Sequence, residues 1–158
     1  MYLAIDQATT SGIAYIDNEG TLITFEFTGT PSELFNVAFG LANIFRIKTI
    51  LIEKMVHLRN TIPMRSLVER SGYLYFKFQE NGFEVERIHS GTARKMLGFS
   101  KELNNKKKVL EYFKTNYTTN FTDNCSDACV LLLSKYSTVW REFPIKLIEP
   151  QKEKPKKK

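Results

Sequence analysis

The chain has 158 residues, 42% of them hydrophobic, 13% aromatic and 25% charged, and carries a net charge of +6. This is too apolar for a disordered chain, and the length suits one domain that buries roughly two-thirds of its unfolded surface. The longest unbroken apolar run, Ala128 to Leu133, falls far short of the ~20 residues of a bilayer span. No basic-then-apolar leader follows Met1, so the expectation is a cytoplasmic protein with no membrane partner.

Tyr2-Leu3-Ala4-Ile5 leads into Asp6, Gln7 to Gly12 reads as a turn, and Ile13 to Ile16 reads as a second strand. After the turn Asp17-Asn18-Glu19-Gly20 comes a third apolar and β-branched run, Leu22 to Phe27. The spacing predicts an antiparallel three-strand meander. Thr30-Pro31-Ser32-Glu33 combines an N-cap, an early proline and a capping-box glutamate, which predicts a helix burying Leu34, Val37, Ala38, Leu41 and Phe45. Thr49 to Ile52 is short, apolar and β-branched, and ends in Glu53. It reads as a buried strand lying parallel to the first after a helical crossover.

A second helix is expected after Asn60-Thr61, with a stripe of Met64, Leu67, Val68, Ser71, Leu74, Tyr75 and Phe78 and a stop at Asn81-Gly82. Phe83 to Ile88 is a fifth strand, and helices are expected over 92–97, 106–114 and 123–139. From Pro144 the chain is polar and Lys-rich and reads as a flexible tail. The expected organisation is a domain over 1–143 and a tail over 144–158. Its fold class is α/β: a mixed five-stranded sheet, three strands in the meander and two parallel, with helices on both faces.

Charge is unevenly spread. Pro150 to Lys158 carries five Lys against one Glu, and Arg87 to Lys108 carries seven Lys and Arg against Glu102. A nearly neutral body with a basic stretch and a basic tail fits a polyanionic partner, although solvated faces would look the same. Cys125 and Cys129 are four apart in a helical stretch, which is not disulfide geometry. Together with His57 and His89 they lack zinc-site spacing, so they read as small reduced core residues.

Asp6 ends one apolar strand, Glu53 ends another, and Asp127 lies one turn into an apolar helix. Acids at such places are costly unless paired, hydrated or bound to metal. If the two strands are parallel neighbours, Asp6 and Glu53 converge at the edge where α/β proteins place ligands. Carboxylates without nearby His or Cys favour Mg2+ or Mn2+ over zinc, and two such ions about 4 Å apart suit phosphodiester hydrolysis. Taken singly, the three acids could equally be a turn residue, an ion-pair partner of Arg59 or Lys54, and helix first-turn charge.

The segment Ile5-Asp6-Gln7-Ala8-Thr9-Thr10-Ser11-Gly12-Ile13-Ala14-Tyr15-Ile16 resembles the first hairpin of RuvC-type Holliday junction resolvases, which have an RNase H-like fold. Ile50-Leu51-Ile52-Glu53 resembles that family's second acidic motif, and Asp123-Asn124-Cys125-Ser126-Asp127-Ala128 its closing helix. Residues 88–109, with Arg94, Gly98 and Lys106 to Lys108, resemble its basic connecting segment. The likeness runs through residues 1–140 in order. It implies catalytic and metal-ligating roles for Asp6, Glu53 and Asp127, with Asp123 or Asn124 as a fourth ligand. It further implies Mg2+ or Mn2+ in two sites and no small-molecule cofactor. A homodimer cutting four-way junctions would follow, with the host cytoplasm as its setting if the chain is phage-encoded. Arg94, Lys95, Lys101, Lys106, Lys107 and Lys108 would hold DNA phosphates.

Two departures stand out. Asn124 occupies a position where the family carries Asp or His, and the loop Lys54-Met55-Val56-His57-Leu58 has no aromatic wedge, which suggests a looser, phage- or virus-like branched-DNA nuclease. Competing readings are an RNase H-like nuclease acting on RNA and a non-catalytic branched-DNA binder. A phosphate-binding turn of the actin-like sugar-kinase type is also conceivable, but it would need a second lobe that 158 residues do not provide.

Overall fold

In the computed structural model, residues 1–55, 62–99, 106–117 and 120–148 are described. The meander forms as expected: β1 (Tyr2–Asp6), β2 (Thr10–Ile16) and β3 (Leu22–Thr28) pair antiparallel in sequence. β2 begins two residues before Gly12, because Ser11 exchanges hydrogen bonds with the Ala8 backbone and tightens the turn to a few residues. The helix α1 (Pro31–Ile44) carries the full capping box: Thr30 Oγ1 accepts from the Glu33 backbone, and the Glu33 carboxylate accepts from Thr30 N–H at 2.8 Å. β4 (Thr49–Glu53) then lies parallel to β1, and after α2 (Ile62–Glu80), β5 (Glu84–Ile88) lies parallel to β4. The expected helix start at Asn60-Thr61 lies outside the described residues.

The rest of the described chain comprises α3 (Ser90–Met96), α4 (Lys106–Asn116), α5 (Asp123–Leu133), two short 3-10 turns and β6 (Ile145–Leu147). β6 corrects the five-strand expectation. It pairs parallel with β3, giving a six-stranded sheet in the order β5-β4-β1-β2-β3-β6. Backbone bonds from Leu22 to Pro144 and from Ile148 to Thr24 fasten it, and its three residues fall within the segment 144–158 that reads as tail in the sequence. The long final helix expected over 123–139 is also shorter: α5 stops at Leu133, where Ser134 Oγ bonds back to Leu131 O at 2.7 Å and the chain tightens into a 3-10 turn.

Helices cover both faces of the sheet. On one face, Leu3, Ile5, Ile13, Ile50 and Ile52 pack against Leu34 and Ala38 of α1 and Leu74 and Phe78 of α2. On the other, Ala4, Ala14 and Leu51 pack against α5, which is backed by α3 and α4. The small Ala4 and Ala14 let α5 lie close to the sheet, and every residue from Cys125 to Leu133 is buried. Cys125 and Cys129 are free thiols in this core. No helix among the described residues is long and apolar enough to cross a membrane.

Candidate active site

The site follows from strand register. Asp6 is paired with Gly12 and Gly12 with Glu26, while Ile5 is paired with Ile52, so that Glu53 closes β4 beside Asp6. Residues paired across a ladder share a face. Glu53, Asp6, Gly12 and Glu26 therefore form one transverse row on the face that α5 covers. Gly12 is what lets the helix in: a Cβ there would stand 2.0 Å from the Asn124 carbonyl oxygen and 2.5 Å from its carbon. The first turn of α5, capped by Thr122 accepting from Cys125 N–H at 3.2 Å, is thus pressed directly onto the row. Gln7, which is 2% exposed, donates from Nε2 to the Glu53 backbone carbonyl at 3.0 Å and ties the ends of β1 and β4 together.

Asp6 is 6% exposed, and the register sets its carboxyl beside that of Glu53. Burial, then repulsion from Glu53 and Asp127, then the Glu53 hydrogen bond push its pKa up to about 8, partly offset by Lys106. Two carboxylates cannot donate to each other, so the contact needs a proton or a cation. Asp127, also buried, lies within electrostatic reach of Asp6, but its oxygens are engaged: Arg94 Nη2 is 3.0 Å from Oδ1 and Lys106 Nζ is 2.7 Å from Oδ2. Burial opposes the Lys106 charge, yet the hydrogen bond and attraction of Asp127, with Asp6 and Asp123 beyond, leave its pKa raised.

The acids expected from sequence thus divide. Asp6 and Glu53 lie side by side at the ends of neighbouring strands, and Asp127 stands nearby in an ion-pair triad. Asp123 is exposed at the start of α5, and Asn124 donates from Nδ2 to Glu26 Oε1 at 2.8 Å. Of the expected phosphate-binding residues, Arg94 and Lys106 face the acids. Lys95, on α3, and Lys107 and Lys108, on α4, are exposed, and Lys101 lies outside the described residues, as do His57 and residues 150–158. The sequence reading missed Glu26. The alternation of β3 carried the signal, because Leu22, Thr24 and Glu26 pair in turn with Ile16, Ala14 and Gly12.

The donor chemistry fits a hard divalent cation at Asp6 and Glu53. Both offer hard oxygens, their contact must be neutralised, and Gln7 keeps a buried side-chain carbonyl with no hydrogen-bond partner among the described residues. For the wider expected cluster the fit is incomplete: among the described residues no three His, Cys, Asp or Glu side chains are gathered as a ready metal set. The physical reason is that Arg94 and Lys106 already neutralise Asp127.

No protein-family model and no curated protein matches the chain. Solved structures do. Thermus thermophilus RuvC superposes with a TM-score of 0.61 at 14% identity, covering 89% of this chain and 95% of that one. T. thermophilus RuvC in complex with a Holliday junction substrate superposes with a TM-score of 0.64 at 11% identity, covering 89% and 94%. At these identities the likeness establishes the fold: the structural neighbours of this chain are RuvC Holliday junction resolvases, and its mixed sheet with α5 laid across the acidic row has their RNase H-like architecture.

Proposed function

We propose that the protein is a metal-dependent endonuclease that hydrolyses phosphodiester bonds in branched DNA, with four-way junctions as its principal substrate, acting as a homodimer. The observation that carries this is the Asp6–Glu53 carboxyl contact at the ends of neighbouring parallel strands, with Asp127 in electrostatic reach, in a fold whose structural neighbour is a resolvase in complex with a Holliday junction. A Mg2+ or Mn2+ ion, two in the complete site, would supply activation of water and stabilisation of the leaving oxygen.

The chain's own groups have defined tasks. Asp6 and Glu53 would hold the cation, the Asp6 carboxyl losing its proton to solvent as the ion binds, and Asp127 would join them once Lys106 gives way. Lys106, released, is placed to meet a scissile phosphate, while Arg94 stays on Asp127 and keeps its charge balanced. The exposed Lys95, Lys107 and Lys108, with Lys101 and the Lys-rich end, hold backbone phosphates and make affinity salt-dependent. Phe76 on α2 is 65% exposed and Gly72 has open space above it, which supports a two-fold contact through α2.

The test is an end-labelled four-way junction incubated with the protein with and without Mg2+, mapping nicks on all strands. Symmetric nicks that require Mg2+ are expected, with linear duplex and single- or double-stranded RNA cut far more slowly. Preferential cutting of RNA would overturn the substrate assignment. The engagement of Asp127 by Arg94 and Lys106 favours a second reading, a branched-DNA binder without catalysis. Tight junction binding with no nick at any Mg2+ or Mn2+ concentration would establish it instead.

A further inference from the structure

Glu26 lies in the same transverse row as Asp6, one strand beyond Gly12, and takes a hydrogen bond from the side chain of Asn124. We propose that Glu26 is a positioning residue of the cation centre: it holds the Asn124 amide by its NH2 end, leaving the carbonyl oxygen as the end available to a cation. This rests on the reading of the site as a cation centre.

A side-chain amide has one donating and one accepting end, whereas a carboxylate only accepts. At 2.8 Å from Glu26 Oε1, Asn124 must therefore present its nitrogen, because the reverse rotamer would set two acceptors against each other. With the NH2 end turned to Glu26, the oxygen lies at the opposite end of the amide and is its accepting atom. The backbone enforces the meeting. Since Gly12 has no Cβ, the Asn124 peptide rests on β2 between the strand of Asp6 and the strand of Glu26. Asp123 is exposed, whereas Asn124 is half-buried against the row. Asn124, rather than Asp123, is thus the neutral oxygen donor. The pair also explains why an amide suits this position: an aspartate at 124 would face Glu26 with like charge.

The experiment is calorimetric titration of the full chain with Mn2+ in metal-stripped buffer, alongside thermal unfolding in EDTA. Glu26→Gln keeps an accepting oxygen and is expected to bind Mn2+ close to wild type. Glu26→Ala and Asn124→Ala are each expected to bind about tenfold more weakly, with the double variant no weaker than either single one and unfolding temperatures close to wild type. Glu26→Gln as weak as Glu26→Ala would mean that the carboxylate charge acts directly, and would overturn the positioning role. Additive losses, or wild-type affinity in Glu26→Ala, would overturn it too. If Glu26→Ala does not fold, Asn124→Ala and Glu26→Gln still decide, because the proposal requires loss in the first and retention in the second. Wild-type protein that takes up no Mn2+ would bring down the cation centre and this inference together. Uptake that Asp6→Asn abolishes and both Glu26→Ala and Asn124→Ala leave unchanged would remove this inference alone.

Discussion

Replacing Asp6 with asparagine tests the acidic row directly, because a gain in stability is predicted from removing a residue assigned to the active centre. The Asp6 carboxyl has a pKa of about 8 in the folded chain against an ordinary 3.8. Its folded value is raised, so the folded state binds a proton that the unfolded state releases. In the absence of divalent cations, stability is then greatest below pH 3.8 as far as this group is concerned, and is lost as pH rises towards 8. At pH 7 the difference of about three units amounts to an upper bound of about 4 kcal/mol. A gain of about 1–3 kcal/mol on substitution is expected, because the variant also exchanges a carboxyl hydrogen bond for an amide one. The introduced amide could still donate to Glu53, so the contact survives without a titrating proton.

The assay is urea and thermal unfolding in EDTA from about pH 5 to about pH 9, repeated with Mg2+. Wild type should lose stability across that range and regain it with Mg2+. The Asp6→Asn variant should show a flatter profile, unfold several degrees higher near pH 8 and respond weakly to Mg2+, while losing strand cutting and keeping junction binding. A wild-type profile without that slope, or a variant less stable than wild type near pH 8, would refute the buried like-charge contact.

Other substitutions probe separate parts of the site. Gly12→Ala places a methyl 2.0 Å from the Asn124 carbonyl oxygen, so α5 must shift, and a loss of about 3 kcal/mol in urea unfolding is expected; a loss under about 1 kcal/mol would show that the helix does not rest on β2. Lys106→Gln removes the ammonium 2.7 Å from Asp127, and Mn2+ affinity measured by calorimetry should rise because a competing cation is gone; unchanged affinity would show that Lys106 and the ion do not share a place. Glu53→Gln and Asp127→Asn should each abolish nicking of a labelled junction while keeping or strengthening binding, since less negative charge faces the phosphates. Deleting residues 150–158, which hold five lysines, should flatten the dependence of junction affinity on salt in a filter-binding series without altering the nick positions.

What could be read from sequence here was whatever one strand or one helix encodes on its own, together with the nearest pairing. Asp6 and Glu53 were legible because each ends an apolar strand and a helical crossover makes those strands parallel neighbours. β6 was not: three residues after Pro144 carry too short an alternation to stand out from a Lys-rich end, and backbone bonds rather than side chains fasten them to β3. The place of Glu26 was not legible because it is set by register, two ladders away from Asp6, and a strand read alone does not announce which partner row it joins. The engagement of Asp127 was hidden for a further reason. Arg94 and Lys106 sit on α3 and α4, and a run of Lys at the start of a helix, where the dipole disfavours cations, reads as a solvated phosphate-binding face until Asp127 is seen opposite it.

Those two cations differ in a way that bears on how the site would open. The acids are carried by strands whose places the ladder fixes and by a helix wedged against Gly12, so they have little freedom to rearrange. Adjustment must then come from the long basic side chains. Arg94 is 12% exposed at its side chain and Lys106 is 46% exposed. Moving the guanidinium would strip a buried Asp127 of its only deeply placed counter-charge among the described residues, which is costly. Swinging the ammonium outward returns it to water from a half-solvated position, which costs little. Arg94 therefore acts as the standing neutraliser of Asp127 and Lys106 as the exchangeable one. On the proposed reading, the negative charge offered to an incoming cation would accordingly be one carboxylate oxygen of Asp127 together with the neighbouring carboxyls of Asp6 and Glu53.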